Sequence, residues 1–188
     1  MYRALLADAR FHRLLFAFDR DIAAIVRESG CVRCGGRLHA GAFSRKPRGL
    51  PAGLGDDQNL RLSFCCSKRQ CRKRNTPPSM RFLGRKVYVG ASVMVVTAMQ
   101  QGGMAARRLA ALYGVSRRTI ARWRTWWRDV FAASSFWRIA TARFVPPVET
   151  IRMPASLLER FAGDAEAKLI ALLRLLLPIT GGAGMHAA

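Results

Sequence analysis

Five cysteines and a long run of arginines are the residues of this chain with chemistry to offer. Cys31-Val32-Arg33-Cys34 is followed by Gly35-Gly36, and Phe64-Cys65-Cys66 is followed by Cys71. Two cysteines separated by two residues and followed by glycine form a knuckle. The tight turn lets both thiolates face one ion, and glycine accepts the backbone that the turn demands. Cys71 supplies one ligand of a second pair, and either Cys66 or Cys65 supplies the other. The loop to Cys66, four residues against five, is the tighter and favours it. Four thiolates make a closed tetrahedral site, expected to hold one structural Zn2+ with no open position for water and hence no metal catalysis. Metal binding would also supply folding energy that so small a module cannot draw from its own core. The odd cysteine count argues against a disulfide framework, and no βαβ pattern surrounds Cys31/Cys34 to suggest a redox pair. His39 could replace one sulfur, although a lone histidine more often packs or faces solvent.

The cations lie around these cysteines and beyond them. The 188 residues carry 32 Lys+Arg against 11 Asp+Glu, and residues 31–137 hold 18 of the 21 net positive charges. That much self-repulsion in one stretch calls for a polyanion, with nucleic acid ahead of an anionic membrane surface. A hydrophobic content of 51% excludes simple disorder. Lys68, Arg69, Arg72, Lys73, Arg74, Arg81 and Arg85 surround the second knuckle, and Arg45, Lys46 and Arg48 lie in a Gly- and Pro-rich stretch, 41–59, read as an exposed basic loop. A rigid turn carrying cations can set several of them against successive phosphates, which positions the protein without reading sequence.

A second motif follows. Val87 to Gln100 is apolar and helix-length, and Gln101-Gly102-Gly103 ends it. In Leu109-Ala110-Ala-Leu112-Tyr113-Gly114-Val115-Ser116-Arg117-Arg118-Thr119-Ile120-Ala-Arg122-Trp123, Gly114 suits a left-handed turn and Ser116 an N-cap. Ala110, four residues earlier, lets two helices approach. This is helix-turn-helix spacing. Ile120, Trp123, Trp127, Val130 and Phe131 would line the buried stripe, leaving Arg117, Arg118, Thr119 and Arg122 to face a major groove, with Arg124 and Arg128 nearer the phosphates. The tryptophans are therefore expected to form core rather than a base-stacking platform, with Trp126 off the stripe.

These motifs need elements to hold them. Residues 1–29 read as helical, with apolar residues at helical spacing and a candidate break near Phe18–Asp19. Residues 30–86 read as an antiparallel β zinc ribbon in which Arg61-Leu62-Ser63-Phe64 alternates as a strand. Residues 87–137 hold the helix-turn-helix, and 138–180 form a C-terminal helical segment. Pro146-Pro147 and Pro154 mark a hinge before an apolar helix from Ala155 to Leu177, and 181–188 read as a flexible tail. That helix is expected to pack on the N-terminal helices, or to join a second copy or a transposase. The fold expected is mainly α with a small β ribbon, built from several modules. No basic, uninterrupted apolar leader opens the chain, and no apolar run is long enough to span a bilayer, so the expected location is cytoplasmic, on the nucleoid.

With both motifs in place, the chain resembles the small zinc-ribbon plus helix-turn-helix proteins encoded in bacterial insertion sequences and transposons, over about residues 30–130. The N-terminal DNA-binding portions of some transposases share this layout, with a first Cys-x-x-Cys and a later pair spaced like Cys66 and Cys71. Arg45-Lys46-Pro47-Arg48-Gly49, Phe64-Cys65-Cys66 and Thr76-Pro77-Pro78-Ser79-Met80-Arg81-Phe82-Leu83-Gly84-Arg85 are likewise similar to a group of bacterial proteins of this kind. The resemblance implies a transposon-associated accessory factor or regulator. The chain departs from a full transposase in its C-terminal third, where Glu149, Glu159, Asp164 and Glu166 are too scattered for a two-metal strand-transfer site. The expectation is a non-enzymatic, sequence-selective binder of double-stranded DNA. Its rivals are a structural RNA-binding ribbon protein and the DNA-recognition subunit of a split recombinase.

Overall fold

The computed structural model describes residues 2–45, 47, 50, 54–83 and 89–181. The expectations for Lys46, Arg48 and Arg85, and for the tail beyond Gly181, fall outside them. The chain is mainly helical, with a small antiparallel sheet.

At the N-terminus, α1 (Tyr2–Ala7) and α2 (Ala9–Ser29) are separated at Asp8, whose carboxylate caps α2 by accepting from the Arg10 N–H at 2.8 Å. The break expected at Phe18–Asp19 is absent: α2 runs through it, because Asp19 is buried and satisfied rather than turned to solvent. Phe11 and Leu15 enter the main core, while Ala23 and Val26, further along, pack against the ribbon. One helix thus serves two cores.

The ribbon follows as β1 (Leu38–Ala40), β2 (Phe43–Ser44), a 3-10 turn (Asp56–Asn59), β3 (Leu60–Arg61), β4 (Phe64–Cys66) and β5 (Arg74–Asn75). The sheet order is β1-β4-β5, and β2 pairs separately with β3. The single strand expected at 61–64 is two, since Arg61 ends β3, Phe64 opens β4, and the chain changes sheets between them. The stretch expected to be a basic loop therefore contains β2, which pairs with β3 just beyond it, and a turn, and Gln58 within it is buried.

The helical body comprises α3 (Gly90–Gln101), α4 (Ala106–Tyr113), α5 (Arg117–Thr125), α6 (Ser135–Ala140), α7 (Ala155–Leu158) and α8 (Ala165–Thr180). Residues 90–97 of α3 are all buried, because it runs through the centre with α1, α4, α5, α7 and α8 packed around it. The winding of α5 changes to π over Trp126–Phe131. That wider turn puts Phe131 beneath Trp127, ring centroids 4.8 Å apart, and turns Val130 outward at 53% exposure, so Val130 is not core as expected.

The expected C-terminal helix is divided. Gly163, at φ 94°, and Asp164, which caps α8 by accepting from the Ala167 N–H at 2.8 Å, separate α7 from α8. Leu169, Leu172, Leu173 and Leu176 of α8 lie in the main core, so this face of the helix is occupied within the chain.

Ribbon and body meet at a buried ionic junction. Asp19 accepts from the Ser79 hydroxyl (2.6 Å), the Met80 N–H (2.6 Å) and the Arg81 Nε–H (2.9 Å). The same guanidinium donates to the carbonyls of Gln58 and Leu60 and lies 4.1 Å from the Phe16 ring centroid, while the Arg81 carbonyl accepts from Gly90 at the start of α3. Arg81 therefore binds α2, the ribbon and α3 at once. At 3% exposure it is no member of the phosphate-facing run in which the sequence places it.

Candidate metal centre and nucleic-acid interface

The sulfur atoms of Cys31, Cys34, Cys66 and Cys71 lie within 4.8 Å of one another. Cys31 and Cys71 are 3.7 Å apart, Cys34 and Cys66 3.5 Å, and all five cysteines are free thiols. A tetrahedral ion with metal–sulfur bonds of about 2.3 Å requires sulfur separations near 3.8 Å, so the cluster fits a metal ion with little adjustment.

The first knuckle forms because Cys34 and Gly35 both return their N–H groups to the Cys31 carbonyl, at 3.2 and 2.8 Å. Gly36 follows because a Cβ there would lie 3.0 Å from the Cys66 sulfur. The second knuckle repeats the turn, Cys71 and Arg72 both donating to the Lys68 carbonyl.

Strand register decides between the two adjacent cysteines. Cys66 pairs with the buried Leu38, whereas Cys65 pairs with His39. Successive side chains of a strand face opposite sides, so Cys66 enters the cluster and Cys65 and His39 face away from it.

The donors are electrostatically unequal. The backbone N–H of Arg33 holds the Cys31 thiol down at about 6, assisted by the Asn75 amide and the Cys34 N–H and opposed by burial. Burial pushes the Cys66 thiol up to about 12, so a cation is what would hold it as thiolate. Asn75 also accepts from the Val32 N–H at 3.4 Å and is buried behind the cluster. Sequence reading missed it, since an asparagine at the end of a basic run gives no signal until β5 places it beside Cys31.

Around the knuckles Arg33, Arg37, Arg69, Arg72 and Lys73 are exposed, and Lys68 donates to the Cys34 carbonyl. Arg74 is engaged with the Gly41 carbonyl at 3.0 Å, and together with Arg45 it flanks the Phe43 ring. Phe43 is a second residue that the sequence does not reveal.

In the helix-turn-helix, Gly114 has φ 60° and ψ 27° and closes α4 in the left-handed region. The Ser116 hydroxyl caps α5 by accepting from the Thr119 N–H at 3.1 Å. Val115, Ile120, Trp123 and Trp127 are buried. At about 100° per residue, Arg117, Arg118, Ala121, Arg122 and Arg124 then share one exposed arc. Thr119 does not belong to it. It is 3% exposed, and its hydroxyl bonds Ser116 and the Arg122 guanidinium, so it lies off the exposed face on which the sequence places it. Arg107 and Arg108, unassigned by the sequence reading, are exposed on α4.

No family model, curated protein or solved structure matches the chain. Among the described residues the four-cysteine set is the only group of three or more potential ligands that converges, and no helix is long and apolar enough to cross a membrane.

Proposed function

We propose that this chain is a sequence-selective double-stranded DNA-binding protein in which Cys31, Cys34, Cys66 and Cys71 hold one structural zinc ion. The observation that carries the reading is the exposed arginine arc of α5, set behind a left-handed Gly114 turn and a Ser116 cap. Arginine at the N-terminal end of such a helix can bridge the O6 and N7 acceptors of guanine. The cationic knuckles would hold the phosphates, and a closed four-sulfur set supplies fold rather than catalysis.

The deciding experiment is selection of bound duplexes from a random pool, with and without a zinc chelator. Enrichment of a common motif is expected, lost or weakened on chelation. A pool that stays random, or one outcompeted by structured RNA, would overturn the reading. Arg118→Ala should relax preference at one or two base pairs, at a cost of about 1–3 kcal/mol. Purified protein should contain one zinc per chain, and folded ribbon without metal would remove the zinc assignment. An accessory or regulatory role in transposition is what the resemblance of residues 30–130 implies. A selected motif that recurs at the ends of a mobile element would support it.

A further inference from the structure

Among the described residues Arg72 is the only non-glycine with positive φ, at 44°. Its counterpart in the first knuckle is Gly35, at φ 64°. The equivalence is geometric. In each turn the last cysteine donates to the carbonyl three residues back, and the residue after it to the same carbonyl: Cys34 and Gly35 to Cys31, Cys71 and Arg72 to Lys68. One knuckle fills the left-handed position with the residue that tolerates it, and the other with an arginine. A residue bearing a Cβ is disfavoured there by roughly five- to thirtyfold.

Nothing described within the chain offsets that strain. The Arg72 side chain is exposed and has no hydrogen bond, ion pair or ring contact with any described residue. Arg69 and Lys73 beside it are exposed cations, so the surroundings favour an anion and repel another cation. Strain retained at an exposed position without an internal partner points to a partner outside the chain.

Resting on the DNA-binding reading above, we propose that Arg72 is the principal phosphate anchor of the ribbon, held where glycine would fold better because its guanidinium grips the duplex backbone.

The test compares the full zinc-loaded chain with Arg72→Gly, Arg72→Asn and Arg72→Lys. Unfolding is followed by heat or denaturant, and binding to a fluorescent DNA duplex is measured at several salt concentrations. Glycine and asparagine should raise the folding equilibrium constant, for glycine roughly two- to fivefold after its own entropic cost. Both should weaken duplex binding about tenfold and flatten the log–log salt slope by about 0.9. Lysine should keep most of the salt slope while gaining no stability. The proposal is overturned if Arg72→Gly binds with unchanged affinity and slope, or if both Arg72→Gly and Arg72→Asn are less stable than the unsubstituted chain. Failure of the DNA-binding reading looks different: the unsubstituted chain itself would show no salt-dependent affinity for duplex.

Discussion

A thiol one position out of register in β4 cannot reach the four-cysteine cluster, and this makes the two adjacent cysteines separable by experiment. Cys66→Ser should abolish stoichiometric metal binding, whereas Cys65→Ser should leave one metal per chain, as measured by elemental analysis after dialysis. His12 offers a second test at this scale. It is buried, its Nε2 lies 2.9 Å from the Leu6 carbonyl, and burial lowers its pKa from the ordinary 6.5 despite that hydrogen bond. The folded chain thus keeps His12 neutral, while the unfolded chain takes up a proton as pH falls below about 6.5. Stability is full above that pH and declines below it. Below about pH 6.5, His12→Phe should show a shallower loss of stability than the unsubstituted chain, read by fluorescence of the four tryptophans of the helical body.

At the scale of elements, the α4–α5 turn isolates one physical cause. A Cβ at Gly114 would meet no atom within 4 Å, so only the left-handed backbone there resists substitution. Gly114→Ala should therefore destabilise the chain by about 1–2 kcal/mol without altering core packing, as seen in a lower thermal midpoint and an unchanged near-UV spectrum. This turn was legible in the sequence because Gly114, Val115 and Ser116 each carry a separate local requirement at fixed spacing. The cysteine knuckles were legible for the same reason. The fate of Asp19 was not, because its partners Ser79, Met80 and Arg81 lie sixty or more residues away. Nor was the turn that separates α7 from α8, where an apolar run concealed what Gly163 and Asp164 do. Val130 was misplaced because a regular helical period does not anticipate the π winding after Thr125. Thr119 was misplaced because its burial depends on hydroxyl bonds to Ser116 and Arg122 rather than on hydropathy.

For the whole molecule, stability is divided unevenly. Among the described residues the ribbon core has five buried apolar members, Ala23, Cys31, Leu38, Phe64 and Cys66, and two of them belong to the four-cysteine cluster. Stripping the metal should unfold the ribbon and leave most of the helical circular dichroism in place, because the larger core contains none of the cysteines. Asp19→Asn should act on both parts. It leaves the Arg81 guanidinium buried without its counter-charge, a loss of about 3–5 kcal/mol by chemical denaturation. Loss of under 1 kcal/mol would mean that the junction tolerates an unpaired arginine, contrary to its burial.

Because α2 is a single uninterrupted rod seated in two separate interiors, neither end can slide or rotate without dragging the other. Loosening the ribbon's hold on Ala23 and Val26 would therefore free the far half of the shaft whose near half bears Phe11 and Leu15.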